Sequence, residues 1–142
     1  MKKTCFFAKF LIIYLFFISS GFASKYNHFE KGKILFDKKK FEKSKIFFEK
    51  DIVFNPKSEK SYLYLAKIFN KNDNEQQEEM NLNNVLLLNP QNDEAIYMLI
   101  LLKIKQSDYN EAKALIEKFN LVCNLFCLKK SEIQEKFGKL TP

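Results

Sequence analysis

The sequence predicts an all-α fold: three helix–turn–helix units of about 34 residues each, stacked side by side and closed by a C-terminal capping helix. Three observations carry that expectation. First, Asn55-Pro56 returns as Asn89-Pro90, and each pair ends an apolar stretch that resumes after a polar interval; the spacing, 90 − 56 = 34, sets the repeat. Second, the apolar residues keep helical spacing: Tyr62, Leu65, Ala66 and Phe69 share one face, as do Phe41, Ser44, Phe48 and Ile52. Third, only 3 Gly and 3 Pro occur in 142 residues, too few turn formers for a sheet protein with many tight turns.

Residues 1–23 stand apart from these units. Lys2 and Lys3 precede the unbroken apolar run "FLIIYLFFI", and small Gly21 and Ala23 follow it, the pattern of a secretory signal peptide. The run is shorter than the roughly 20 residues that cross a bilayer. Cleavage before Ser24 is the expectation, with a retained N-terminal anchor as the alternative; Cys5 precedes the run and is not placed as a lipoprotein cysteine. The mature protein is therefore expected to be exported to the periplasm, or held at the inner membrane if the segment stays. Membrane contact is expected only in that second case.

The charge balance follows from the same division. The chain carries 24 basic and 17 acidic residues, a net charge of +7; without Lys2, Lys3 and Lys9 it is 21 − 17 = +4. Every basic residue is Lys, and Asn, Ile and Phe are abundant, as an AT-rich coding sequence would supply. Nucleic-acid and phosphate sites lean on the planar guanidinium of Arg, which this chain lacks. Neither composition nor destination suits nucleic-acid binding.

The units run 25–58, 59–92 and 93–126. "FEKSKIFFEK" (41–50) returns two units on as "YNEAKALIEK" (109–118). Polar runs "DKKK" (37–40), "KNDN" (71–74) and "KQSD" (105–108) recur once per unit and separate its two helices. Pro56 and Pro90 mark unit boundaries, because proline is tolerated only in the first turn of a following helix. The third unit lacks that proline. The remaining segment, 127–142, holds "SEIQEKFGKL": Ser131 and Gln134 read as a capping box, Ile133 and Phe137 share a face, and Gly138 can end the helix. It is read as a capping helix over 131–138.

These features resemble the tetratricopeptide repeat family, across about residues 25–126. The pattern of large, small and aromatic positions is met by His28, Gly32, Leu35, Ser44, Phe48 and Pro56 in the first unit. The second offers Tyr62, Leu65, Ala66, Phe69, Leu82 and Pro90, and the third Ile96, Leu99, Ala112, Ile116 and Phe119. Lys31, Asp51, Glu78, Val85, Ile100 and Lys103 depart from it. The resemblance implies a short right-handed solenoid whose first helices line a concave, partner-binding groove. The groove positions carried over include Phe29, Lys33, Leu63, Lys67, Asn70, Lys71, Tyr97, Leu101 and Lys105. Phe29, Leu63 and Tyr97 would form an apolar ladder edged by lysines, suited to a peptide or helix with hydrophobic anchors and acidic flanks. The family's carboxylate clamp is not implied, since Phe29 and Lys33 stand where it needs Lys and Asn.

No constellation for catalysis emerges. His28, the one histidine, falls on a packing position; there is no Gly-rich phosphate loop, nucleophile elbow or metal-spaced ligand set, and no cofactor is expected. "EQQEEM" (75–80) reads as an acidic helix start. Cys123 and Cys127 form either a disulfide or two buried thiols; on a helix their Cβ atoms would lie roughly 5–6 Å apart, so a bond needs the chain to leave helical geometry. "CNLFCL" lacks the histidine of haem attachment. The expectation is a non-enzymatic protein-interaction scaffold of the cell envelope, with self-association as a second reading and a dithiol role for the cysteine pair as a third.

Overall fold

A computed structural model describes residues 27–139; residues 1–26, on which the expected signal segment 1–23 falls, and the last three residues lie outside that range. Among the described residues seven α-helices follow in order: α1 (His28–Asp37), α2 (Phe41–Phe54), α3 (Glu59–Lys71), α4 (Glu75–Leu88), α5 (Asp93–Lys105), α6 (Tyr109–Val122) and α7 (Lys130–Gly138). A short 3₁₀ turn, Cys127–Lys129, leads into α7. The described residues contain no strand. Helices pair consecutively, α1 with α2, α3 with α4, α5 with α6, and each pair leans on the next through α2–α3 and α4–α5. This is a stack of helix–turn–helix units closed by α7, which packs on α5.

The boundaries repeat because the local chemistry repeats. Asn27, Asn74, Asn92 and Asp108 each accept a hydrogen bond from the backbone N–H three residues on, satisfying a donor that the first helical turn leaves open. Within each unit the turn reverses through one left-handed residue: Lys39 (φ 57°), Asp73 (φ 53°) and Ser107 (φ 60°), spaced as the units are. None of them is glycine. At the unit junctions, Asn55 and Asn89 adopt extended backbone ahead of Pro56 and Pro90.

Small residues let the first pair close. Ser44 Oγ donates to the Gly32 carbonyl at 2.7 Å, and a Cβ on Gly32 would lie 2.7 Å from Phe48 Cε1. Glu78 occupies the corresponding small position of α4, where its buried carboxylate accepts from Asn70 Nδ2 at 3.0 and 3.1 Å. Burial pushes the Glu78 carboxyl above its usual range against the pull of that bond. Phe48, Leu65, Ile68 and Phe69 form the core between units one and two; Leu63, Ala66, Leu82, Val85, Ala95, Leu99 and Leu102 form the next. Ile96, Ile100, Phe119 and Ile133 join the third unit to α7.

Two expectations for the C-terminal segment are resolved differently. The capping box on Ser131 is not formed: the 3₁₀ turn runs straight into α7, which begins at Lys130, so Ser131 falls inside the first turn and no side chain caps it. The cysteine pair is a disulfide, with Cα atoms 5.1 Å apart. Helix α6 stops at Val122, and Cys123 (ψ 138°) turns the chain out of helical geometry as that bond requires.

Candidate functional site

Most of the expected groove residues are engaged within the chain. Leu63 is buried between α3, α4 and α5. Tyr97 is covered from the C-terminal side, its ring 5.8 Å from that of Phe126 and its hydroxyl donating to Glu132 Oε1 at 2.9 Å. Phe29 is half-buried against Phe48 and Tyr64. The three therefore do not make one open ladder. Lys67 pairs with Glu94 at 2.7 Å, Lys105 with Asp73 and Glu75 at 3.1 and 3.0 Å, and Lys33 with Asp37 at 3.1 Å. Lys71 lies over the Phe41 ring at 5.2 Å, Asn70 holds Glu78, and Leu101 is half-buried.

A different arrangement appears at the N-terminal edge of the stack. The start of α1 (Asn27, His28, Phe29), the end of α2 (Lys50, Asp51, Phe54), the Asn55–Ser58 turn and the start of α3 (Glu59, Lys60) enclose an open cleft of about 1280 Å³. Its acids are engaged internally. Asp51 Oδ2 accepts from Ser58 Oγ at 2.5 Å and Ser61 Oγ at 2.6 Å. Glu59 Oε1 accepts from the side-chain amides of Asn89 and Asn92 at 3.1 and 2.5 Å. Its lysines are not neutralised: Lys50 lies 5.8 Å from the Phe47 ring centroid and Lys60 5.9 Å from that of Phe29, and no ion pair among the described residues includes Lys50, Lys57 or Lys60. The floor is aromatic. Phe54, 77% exposed, stacks on His28 with centroids 5.4 Å apart.

The cleft thus joins a positive rim to an apolar floor, which attracts carboxylates and offers a seat for one large side chain. Phe29 and Lys60, both groove positions in the repeat register, line the cleft; Lys50, Phe54 and Lys57 are not singled out by the sequence. The available signal was Phe54 itself, an aromatic directly ahead of Asn-Pro where the second unit has Leu88.

A second surface feature follows the repeat. Val53, Leu87 and Leu121 hold one position in successive units and are 74%, 80% and 87% exposed, near the C-terminal ends of α2, α4 and α6. The sequence periodicity contains them, but helical pattern alone favours the buried face. Among the described residues, no group of His, Cys, Asp and Glu could hold a metal ion, and no helix is long and apolar enough to cross a membrane. No protein-family model matches the sequence, and no curated protein does.

Proposed function

We propose that this protein is a non-enzymatic interaction scaffold of the cell envelope, exported by its N-terminal segment, that binds an acidic peptide or helix in the cleft between α1, α2 and α3. The tetratricopeptide resemblance supports the class of function. The observation that carries the proposal is the asymmetry of charge in the cleft: both acids are hydrogen-bonded within the protein, while Lys50, Lys57 and Lys60 face solvent beside Phe29 and Phe54. Lysines at a rim accelerate encounter, and burial of an apolar anchor on the exposed Phe54 ring supplies affinity. The partner is then a protein segment with carboxylates flanking an aromatic or aliphatic residue. No nucleic acid or cofactor enters this reading.

The test is fluorescence anisotropy with labelled twelve-residue peptides carrying one central Phe or Leu, flanked by Glu in one series and Lys in the other. The Glu series should bind more tightly and weaken as salt is raised. Phe54→Ala and the pair Lys57→Glu, Lys60→Glu should each weaken it. Equal binding of both series, or binding indifferent to these substitutions, would move the function elsewhere.

Self-association is the second reading, and the exposed Val53, Leu87 and Leu121 favour it. Sedimentation velocity separates the two: an oligomer that Leu87→Lys dissociates would support it.

A further inference from the structure

The segment between α6 and α7 divides its apolar side chains between two surfaces. Val122, Cys123 and Phe126 pack inward on the core of Ile96, Ile100, Phe119 and Ile133. Leu121, Leu125 and Leu128, interleaved with them along the chain, are 87%, 81% and 91% exposed, the three most exposed large apolar side chains among the described residues. Leucine is a residue of interiors, so three of them held in water over 121–128 form a patch that the fold itself does not use.

The loop that carries them is fixed from several sides. The Cys123–Cys127 bond holds Cα atoms 5.1 Å apart. Asp93 Oδ2 accepts from the N–H groups of Asn124 and Phe126 at 2.7 and 2.8 Å, on either side of Leu125, and the Lys129 N–H donates to the Phe126 carbonyl at 2.8 Å. With successive Cα atoms about 3.8 Å apart, this closure keeps Leu121 and Leu128 within about 17 Å of each other. Little conformational freedom remains to be lost when the leucines are covered.

The charge around the loop has one sign. From Lys118 to Ser131 the chain holds three lysines and no acid. Lys130 Nζ donates to the Asn120 carbonyl at 3.4 Å, which sets its ammonium beside Leu121. Lys129 is paired with Glu132, but no ion pair among the described residues includes Lys118 or Lys130. The exposed residues from 119 to 128 are these leucines with Asn120 and Asn124, all uncharged.

We propose that this loop docks on the surface of an anionic lipid bilayer, its leucines entering the acyl boundary and its lysines meeting the headgroup phosphates. A bilayer takes apolar side chains without a shaped pocket, and a lysine beside them keeps its stem in the apolar layer while its ammonium reaches the phosphates. A second copy of the chain suits the loop less well, because a two-fold contact through it sets Lys118 and Lys130 against their own equivalents. The loop lines no part of the cleft between α1, α2 and α3, and its docking needs nothing from that site.

The chain contains no Trp, so Leu125→Trp places a single indole on the loop of the full chain. It reports insertion at that point, whatever contact residues 1–23 make with the same vesicles. With vesicles of equal parts phosphatidylglycerol and phosphatidylcholine, its emission should shift to the blue and be quenched by bromine on the acyl chains. Leu87→Trp, on the outer edge of the second unit, should show neither effect. Adding Leu121→Ser and Leu128→Ser to Leu125→Trp should reduce the quenching at least about threefold. Pure phosphatidylcholine, or the pair Lys118→Glu and Lys130→Glu, should reduce it comparably, and Lys57→Glu, in the cleft, should leave it unchanged. Leu128→Trp gives the same readout should the thermal midpoint show that Leu125→Trp disturbs the turn. Emission that vesicles leave unchanged at both loop positions, quenching as strong in Leu87→Trp, insertion indifferent to lipid charge, or a blue shift that grows with protein concentration in the absence of lipid would each overturn the inference.

Discussion

Replacing Asp93 tests whether one buried carboxylate fastens the C-terminal closure. Asp93 opens α5, but its Oδ2 accepts from the backbone N–H groups of Asn124 and Phe126 at 2.7 and 2.8 Å, across the turn that follows α6. It is 9% exposed. Burial alone would raise its pKa, but the N–H groups of Phe126, Asn124, Leu125 and Glu94 outweigh burial and hold it below the usual range. Hydrogen bonds to a charged group contribute about 1.5–3 kcal/mol each. Asn124 is exposed, so water can replace part of what the alanine variant loses. Asp93→Ala should therefore cost about 2–4 kcal/mol, and Asp93→Asn, which keeps an acceptor oxygen without the charge, about half of that.

Urea denaturation followed by circular dichroism measures the loss, and amide exchange at Asn124 and Phe126 localises it. The sign with pH is fixed by the depressed pKa. The contribution is complete above the unfolded value, about 3.9, and is lost as pH falls through the folded one. The gap between wild type and Asp93→Ala should narrow below about pH 4. A loss under about 0.5 kcal/mol, within the range of ordinary surface substitutions, with both amides still protected, would refute the assignment.

Glu132 links α7 to α5: hydrogen bonds from Lys129, Tyr97 and Lys136 hold its carboxyl down at about 2, so the stability gap between wild type and Glu132→Gln should be full near neutral pH and close as pH falls through about 2, read as thermal midpoints. Removing the disulfide by Cys127→Ser opens a loop with a sequence separation of only 4, and loop entropy predicts a loss of about 2 kcal/mol; an unchanged urea midpoint would show that the bond constrains nothing the fold does not already fix. Lys39→Gly and Ser107→Gly relieve left-handed backbone at φ 57° and 60° and should each raise stability by about 0.5–1 kcal/mol, whereas a loss would mean that the side chain contributes contacts at the turn.

The repeat made the helices legible, because apolar spacing, polar turns and Asn-Pro boundaries all recur at one interval. It did not reveal which groove positions remain open. Leu63 occupies a first-helix position in the expected register, yet Ala95 and Leu99 of the next unit close over it; Tyr97 occupies the equivalent position, and the C-terminal segment covers it. Phe29 stays accessible at the cleft because it belongs to the end unit. Pairing was equally hidden: the carboxylate facing Lys67 comes from Glu94 in the following unit, and periodicity cannot say which lysine a neighbour neutralises. The cleft joins two helix starts, one helix end and a turn, so no contiguous motif announces it.

A stack of this kind also constrains where a partner can gain most. Inner faces are consumed by neighbouring units, so extensive apolar contact remains available only at the ends or along the outer edge. Here the C-terminal end is closed by α7, the Cys123–Cys127 bond, the Asp93 hydrogen bonds and the Tyr97–Glu132 link. The N-terminal end instead combines an exposed Phe54, an apolar hollow around Ile34 and Ile46, and lysines at both sites. Leaving Ile34 open forfeits part of the roughly 25 cal/mol per Å² of apolar burial that Ile68 and Leu102 obtain. A partner that covered this end would recover that energy in the complex, and carboxylates on it would meet Lys50, Lys57 and Lys60, which no ion pair among the described residues includes. The two ends of the described stack are thus finished unevenly, the last unit closed by α7 and the first leaving Phe54 and Ile34 exposed, and the binding proposed at the first unit rests on that difference.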